Sequence, residues 1–425
     1  MRAVDREASR ARLARRYTEV RALTEALAAP LSPEDQQVQS MPDVSPTKWH
    51  LAHVTWFFET FVLAPHLPGY TPFDPAYGYL FNSYYEAVGA RHPRPDRGVL
   101  SRPPLAEVVA YRAHVDDAMD RLFSTLPDGA WAEPGGLTEL GLHHEQQHQE
   151  LLLMDIKHVL SRNPLLPAYR PRNARETEPA AGSGWTEYEG GLGRIGDDGS
   201  GFAFDNERPR HRVVLEDFRL ADRAATNGEY RAFIEDGGYR DPLLWLADGW
   251  ATVQAEGWEA PLYWSGADGE WSEFSLAGEA PLDDDAPVCH VSHYEAAAYA
   301  AWAGKRLPTE AEWEAAAPAV EEENANLLAA DLLHPAAASA NGYSDPRQMI
   351  GDVWEWTASP YVAYPGFRTS PGAVGEYNGK FMSSQMVLRG GCCATPPGHI
   401  RATYRNFFYP HQRWPFTGIR LAEDG

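Results

Sequence analysis

Apolar residues recur at helical intervals through the first third of the chain and lose that rhythm afterwards. Ala3 to Ala29 contains neither Pro nor Gly, and Leu13, Tyr17, Val20, Leu23 and Leu27 share one helical face. The polar stretch Glu34 to Met41 reads as loop. Ser45-Pro46 then predicts an N-cap followed by Pro at the first helical position, opening SPTKWHLAHVTWFFETFVL. Residues 64–104 are rich in Tyr, Pro and Gly and predict a long connection. A third helix is expected from near Leu105 to about Leu126, with Val108, Tyr111, Val115, Met119 and Leu122 on one side. The fourth spans roughly Leu137 to Leu160, LTELGLHHEQQHQELLLMDIKHVL. Four helices of about twenty residues with one long crossover predict a four-helix bundle.

Four prolines and little apolar periodicity mark the stretch from Asn163 to Gly184, and 11 of the 14 tryptophans lie beyond it. There the chain breaks into short Gly-punctuated segments such as HRVVLEDFRL, with helical patterns in SHYEAAAYAAWAG and TEAEWEAAA. In the latter, Thr309 and Glu312 have the spacing of a capping box. The expected organisation is a helical domain over 1–165, a linker over 166–184 and an α+β domain over 185–425.

Composition narrows the choice of partners. With 37 Lys+Arg against 60 Asp+Glu, the net charge of −23 disfavours nucleic acid and anionic lipid. An apolar content of 44% excludes a disordered chain. Three cysteines are too few for a disulfide scaffold and point to a reducing compartment. The N-terminus lacks the apolar core of a secretory signal, and no stretch approaches the ~20 apolar residues of a membrane span. A soluble, cytoplasmic protein is the expectation, with its oligomeric state left open.

The densest set of potential ligands is HHEQQHQE, within the fourth helix. His144 and His148 lie one turn apart and only ~40° apart around a helix, so both imidazoles can reach one metal. Glu150 falls ~240° from His144 and suits a supporting role better than a ligand's. A third ligand must come from another helix, and the second offers His50 and His53, the latter among apolar neighbours. Three neutral imidazoles accept Zn, Fe, Cu or Ni and leave coordination positions open. A lone histidine is more often a surface or hydrogen-bonded core residue, the reading expected for His50 and His143. In the loop FNSYYEAVGARHPRPDRG, Tyr84 and Tyr85 are adjacent phenols and Arg91, Arg94 and Arg97 recur every three residues. Such guanidinium forks can clamp a carboxylate, and they can equally pair with surface acids. Further on, aromatic residues beside Asn406 could accept a quaternary ammonium, or simply fill the core of a loop-rich fold. Adjacent Cys392 and Cys393 read as buried, inert thiols.

SPTKWHLAHVTWFFE together with HHEQQHQE resembles the DinB-like, iron-binding half of the ergothioneine-synthesis sulfoxide synthases. TNGEYRAFIEDGGY, RLPTEAEWE, GDVWEWTASPY and LRGG resemble the formylglycine-generating-enzyme (sulfatase-modifying-factor) fold, a variant of the C-type lectin fold. The resemblance covers nearly the whole chain. It implies a multidomain α and α+β protein that is a non-haem iron oxidoreductase, joining a thiol to the imidazole C2 of hercynine with O2 to give a sulfoxide. Carried onto this chain, it implies iron(II) at His53, His144 and His148, with Gln147 at the hercynine imidazole and Asn406 and Phe407 at the betaine end. Tyr84 or Tyr85 would be the phenol that donates a proton during oxygen chemistry, and Arg91 and Arg94 would grip the thiol substrate's carboxylate. Cys392-Cys393 follows Arg389-Gly390-Gly391 directly, unlike the separated pair of the copper-type formylglycine generators, so the second domain is expected to be a substrate-binding wall. Phe407-Phe408 stands where actinobacterial-type members carry Trp-Asp, which leaves cysteine and γ-glutamylcysteine both open. Coupling hercynine to a selenosugar, and a metal- or thiol-binding module without oxygenase activity, are the alternatives.

Overall fold

Four helices carry the first part of the structure, a computed structural model that describes residues 3–171, 182–267, 270–340 and 346–425. These are α1 (Ala3–Ala28), α2 (Thr47–Phe57), α3 (Leu105–Thr125) and α4 (Ala132–Ser161). The described residues divide into two units, 1–169 with 372–376, and 170–371 with 377–425. Most of the expected linker, residues 172–181, lies outside the described residues.

Helix α4 starts five residues before its predicted start. Pro134 falls in its first turn, where a missing N–H costs nothing. Gly135 lies against Trp131, and a Cβ there would sit 2.8 Å from the indole nitrogen. The Pro-Gly-Gly run therefore opens the helix instead of preceding it. At α2 the expected Ser45 cap is corrected: the carbonyl of Pro46 accepts from Trp49 and His50, and no side chain caps the helix. Ser45 is occupied otherwise, its N–H donating to Asp155 at 2.8 Å and its hydroxyl accepting from Arg97 at 2.9 Å.

Beyond Phe57 the second helix widens into a π-helical turn, Phe58–Leu63. This turn brings the Glu59 carboxylate to Tyr70 Oη (2.6 Å), the Phe73 N–H (3.0 Å) and Tyr111 Oη (2.7 Å), tying the long connection to α3. Close approach of α2 and α4 depends on Gly141, where a Cβ would meet Phe58 at 2.6 Å and Phe57 at 2.9 Å. Behind the α4 histidines, the fully buried Glu145 carboxylate accepts from Arg21 (3.0 Å), Arg112 (3.2 Å) and Thr24 (2.7 Å). Arg21, Arg112 and Glu145 thus form a buried charge cluster in the bundle, arranged so that its members satisfy one another.

The second unit is α+β. A three-stranded antiparallel sheet joins β1 (Trp185–Tyr188), β4 (Phe218–Ala221) and β12 (Ala422–Asp424), with β4 central. A hairpin pairs β2 (Gly191–Ile195) with β3 (His211–Leu215), and a meander runs through β5 (Trp264–Ala267), β6 (Glu270–Ser275) and β7 (Gly278–Pro281). The largest sheet has the order β10 (Asn406–Phe408), β9 (Met386–Arg389), β8 (Trp354–Pro360), β11 (Thr417–Gly418), its last pair parallel. Four short helices accompany these strands: α5 (Asn227–Glu235), α6 (Ala247–Glu256), α7 (His293–Trp302) and α8 (Glu310–Ala316). The Thr309–Glu312 capping box forms, and Thr226–Glu229 and Ser292–Glu295 repeat it at α5 and α7. Helices α5 and α6 were not read from the sequence, although Thr226 and Glu229 have the same capping-box spacing as Thr309 and Glu312.

Trp313, Trp354 and Trp356 fill the core of this unit beside the buried Arg420–Glu355 pair (2.7 Å). Gly390 has φ +99°, and a Cβ there would lie 2.3 Å from the Met349 carbonyl. That explains one glycine of LRGG by backbone approach alone. All three cysteines are buried and unbridged. Among the described residues, no helix is long and apolar enough to cross a membrane.

Candidate metal centre

His53 comes from the middle of α2, and His144 and His148 from successive turns of α4. One ring nitrogen from each lies within 4.8 Å of the others, and all three side chains are buried. His53 Nε2 and His144 Nε2 are 3.2 Å apart. The His144 and His148 rings meet edge to face at 4.6 Å, the arrangement their i,i+4 spacing predicted.

The scaffold around His53 is aromatic. Trp49, four residues before it, stacks on its ring at 4.5 Å and 12°, and Trp56, three residues after it, at 5.6 Å and 16°. Phe57 packs on His144 at 4.9 Å. Nδ1 of His53 lies 2.6 Å from the Phe81 carbonyl, which can only accept, so this nitrogen carries the hydrogen and Nε2 the lone pair. Desolvation is the main cause that lowers all three imidazole pKa values, reinforced for His53 and His148 by the neighbouring histidines; His144 is pushed down to about 3. The rings are therefore neutral at neutral pH, the form that binds a divalent cation. Buried, neutral, convergent imidazoles with an aromatic surround fit a three-histidine metal site. Zinc and non-haem iron both suit that donor set.

Tyr84 and Tyr85 stack on one another at 4.7 Å. Tyr85 is fully buried and reaches the histidine cluster through Trp56, whose ring is 5.6 Å from it, while Tyr84 is half-buried. The loop that carries them is held at its far side by the Glu376 carboxylate, which accepts from the N–H groups of Glu86 and Ala87. Gln147, next to His148, is half-buried on α4. Asn406 and Phe407 lie in β10 of the second unit, where Phe407 stacks on Tyr361 at 4.0 Å and 12°.

The three arginines of the loop separate sharply. Arg91 pairs with Glu86, and Arg94 donates to the Asp43 carbonyl, both at the protein surface. Arg97 is only 3% exposed and lies flat on Trp49, its Cζ 3.4 Å from the ring centroid. It donates to Ser45 Oγ (2.9 Å) and Ser83 Oγ (3.2 Å), and its Nε has no acceptor among the described residues. Desolvation first, and then Arg94, hold its pKa well below the usual arginine value. Arg97, Trp49 and His53 therefore form a continuous stack from a buried cation to the histidine cluster. The sequence shows an arginine every third residue but not which of them is buried, because burial follows from the turn Arg94–Val99 that the loop adopts.

His50 is the hydrogen-bonded core histidine expected of it, 2.8 Å from His148 through the two Nδ1 atoms and 3.0 Å from Asp155. His143 points to the other side of α4, where it bonds Arg16 at 2.8 Å.

Comparison with known proteins agrees with this architecture. Residues 16–158 match the DinB superfamily, and residues 176–425 match the sulfatase-modifying factor enzyme 1-like domain. The hercynine oxygenase of Mycolicibacterium smegmatis is 36% identical over 419 residues, covering 91% of this chain and 92% of that protein. Its counterpart from Mycobacterium tuberculosis is 35% identical over 409 residues, covering 90% and 92%. Ergothioneine biosynthesis protein 1 of Schizosaccharomyces pombe is 27% identical over 235 residues, covering 52% of this chain and 28% of its own length. With both halves matched in order and more than nine-tenths of those bacterial relatives spanned, the chain belongs to the hercynine oxygenase family, a DinB-type helical domain followed by a sulfatase-modifying-factor α+β domain.

Proposed function

We propose that this protein is an oxygenase of ergothioneine synthesis that joins a thiol to the imidazole C2 of hercynine and oxidises the sulfur. The overall change balances without an external reductant. The C2–H and S–H bonds break, a C–S bond forms, one atom of O2 becomes the sulfoxide oxygen, and the other leaves as water with the two released hydrogens. The observation that carries this reading is the convergence of His53, His144 and His148 in a chain aligned along nearly its whole length with hercynine oxygenases. Iron(II) held by those three imidazoles would supply the oxygen activation and leave positions open for substrate.

The remaining roles belong to the protein. Trp49, Trp56 and Phe57 keep water from the histidines, and Gln147 on the same helix suits a contact with the hercynine ring. Asn406 and Phe407 supply an amide and an aromatic face of the kind a trimethylammonium group prefers. Arg97 is the better carboxylate grip of its loop. It is buried with neutral hydrogen-bond acceptors and feels one carboxylate, Asp155, so an anion entering beside Trp49 would give it a direct charged partner, and Arg91 and Arg94 would then act from the surface. The Trp56 N–H, also buried without an acceptor among the described residues, is a second donor available to a polar ligand.

Anaerobic reconstitution with iron(II), followed by oxygen uptake with hercynine plus cysteine, γ-glutamylcysteine or a selenosugar, tests the proposal. A hercynine-dependent C–S sulfoxide, identified by mass, supports it and names the thiol. Coupling with the selenosugar alone would reassign the chemistry, and no uptake by metal-loaded protein with any pair would leave a binding module.

Two predictions belong with this reading. Arg97→Met should raise KM for the thiol substrate roughly 10–100-fold, the worth of a charge-assisted hydrogen bond, without lowering Tm. A normal KM in that variant would return the carboxylate to Arg91 or Arg94. Tyr84→Phe and Tyr85→Phe should both keep full metal occupancy. For whichever phenol donates the proton, the change should slow sulfoxide formation or divert oxygen to thiol dioxygenation. Unchanged rates and product ratios in both variants would remove the tyrosines from the mechanism.

A further inference from the structure

His148 differs from its two companions in what stands behind it. Its Nδ1 lies 2.8 Å from Nδ1 of His50, and Nε2 of His50 lies 3.0 Å from Asp155 Oδ2. The same carboxylate oxygen accepts from the Ser45 N–H at 2.8 Å. All three side chains are buried. A carboxylate has no hydrogen to give, so His50 Nε2 donates to it, and in that tautomer the lone pair of His50 lies at Nδ1. Two nitrogens 2.8 Å apart share one hydrogen, and it must come from His148 Nδ1. That leaves the lone pair of His148 on Nε2, the nitrogen available to a metal.

We propose that Asp155 and His50 form a positioning relay that fixes the tautomer and ring angle of His148, holding its Nε2 ready for the metal. The inference rests on the three-histidine metal reading and adds two residues to it. Asp155 and His148 both lie on α4 and His50 lies on α2, so the relay crosses from α4 to α2 and back, and the ligand's orientation is set by the packing of two helices. His53 is oriented by the simpler device of a backbone carbonyl at Phe81. Partners of this kind, behind a metal-bound histidine, are worth about 10–100-fold in metal affinity.

Two measurements test the relay, neither of which depends on turnover. In metal-free wild-type protein with 15N-labelled histidine, long-range proton–nitrogen spectra should show His148 with its hydrogen on Nδ1 and His50 with its hydrogen on Nε2. The opposite tautomer at either residue overturns the proposal, and no variant has to fold for that result. The second measurement is a titration of apo-protein with Co(II), followed by its d–d absorption. His50→Phe, which keeps the ring but removes the acceptor, should weaken Co(II) binding about 10–100-fold and alter the spectrum. His50→Gln, whose amide oxygen can still accept, should stay close to wild type. A ring needed only for packing would give the reverse order, and wild-type affinity and spectrum in His50→Phe would overturn the relay while leaving the triad in place. If instead wild-type protein takes up no Co(II), or His144→Ala binds it equally well, the metal reading itself falls.

Discussion

His144→Ala is expected to abolish metal uptake, and turnover with it. His144 provides one of three imidazoles whose ring nitrogens lie within 4.8 Å of one another, and its Nε2 faces His53 Nε2 at 3.2 Å. Removing it leaves His53 and His148, too few donors to hold a divalent ion against a competing chelator. The loss should exceed the ~10–100-fold expected for a residue that only orients a ligand. Alanine suits the helical backbone, and the space left beside Phe57 is apolar on one side, so the bundle should persist. Metal content after reconstitution and desalting, with circular dichroism as the folding control, decides the matter. Stoichiometric metal in a folded His144→Ala protein would mean that the ion sits elsewhere.

Replacing the next residue should instead damage the fold. Glu145→Ala is expected to cost about 3–5 kcal/mol of stability, the penalty for removing one partner of a buried ion cluster. Its carboxylate is wholly buried and accepts from Arg21 at 3.0 Å, Arg112 at 3.2 Å and Thr24 at 2.7 Å. Burial alone would raise its pKa, but the two guanidiniums outweigh that and hold it below the ordinary carboxylate range. A group whose folded-state pKa is lowered stabilises the protein above its unfolded-state pKa, and that contribution fades as pH falls through the folded value. Urea denaturation should therefore separate wild type from Glu145→Ala widely at pH 7 and less in acid. Glu145→Gln, which keeps an acceptor for one arginine, should fall between them. A loss under about 1 kcal/mol at pH 7 would show that water, and not Glu145, satisfies Arg21 and Arg112.

Neighbouring positions on one helix thus have opposite tasks, His144 facing the cluster of imidazoles and Glu145 facing α1 and α3. Their separation follows from the ~100° advance per residue of a helix. It also explains how HHEQQHQE can be so polar within a buried segment: His143 and Gln146 meet Arg16, Glu145 and Gln149 meet Thr24, and His148 meets His50.

What the amino-acid order determined by itself is local or periodic. The spans of α1 and α3, the capping box at Thr309 and the shared face of His144 and His148 depend on contacts within about four residues, and these were legible. The candidacy of His53 rested on its apolar neighbours, and the two motif sets by themselves resemble the family. Tertiary structure decided what depends on distant partners. Ser45 looked like a helix cap, but its N–H was claimed by Asp155, 110 residues away. The fourth helix was expected from about Leu137, but Pro134 and Gly135 fall within its opening turns, where Gly135 lies against Trp131. Three equally spaced arginines could not be ranked by spacing, and burial on Trp49 singled out Arg97. Likewise nothing near His50 in the chain reveals its tie to His148, because the hydrogen bond spans 98 residues. Periodicity reports which face of an element turns inward, whereas the partner met there is chosen by how whole helices pack.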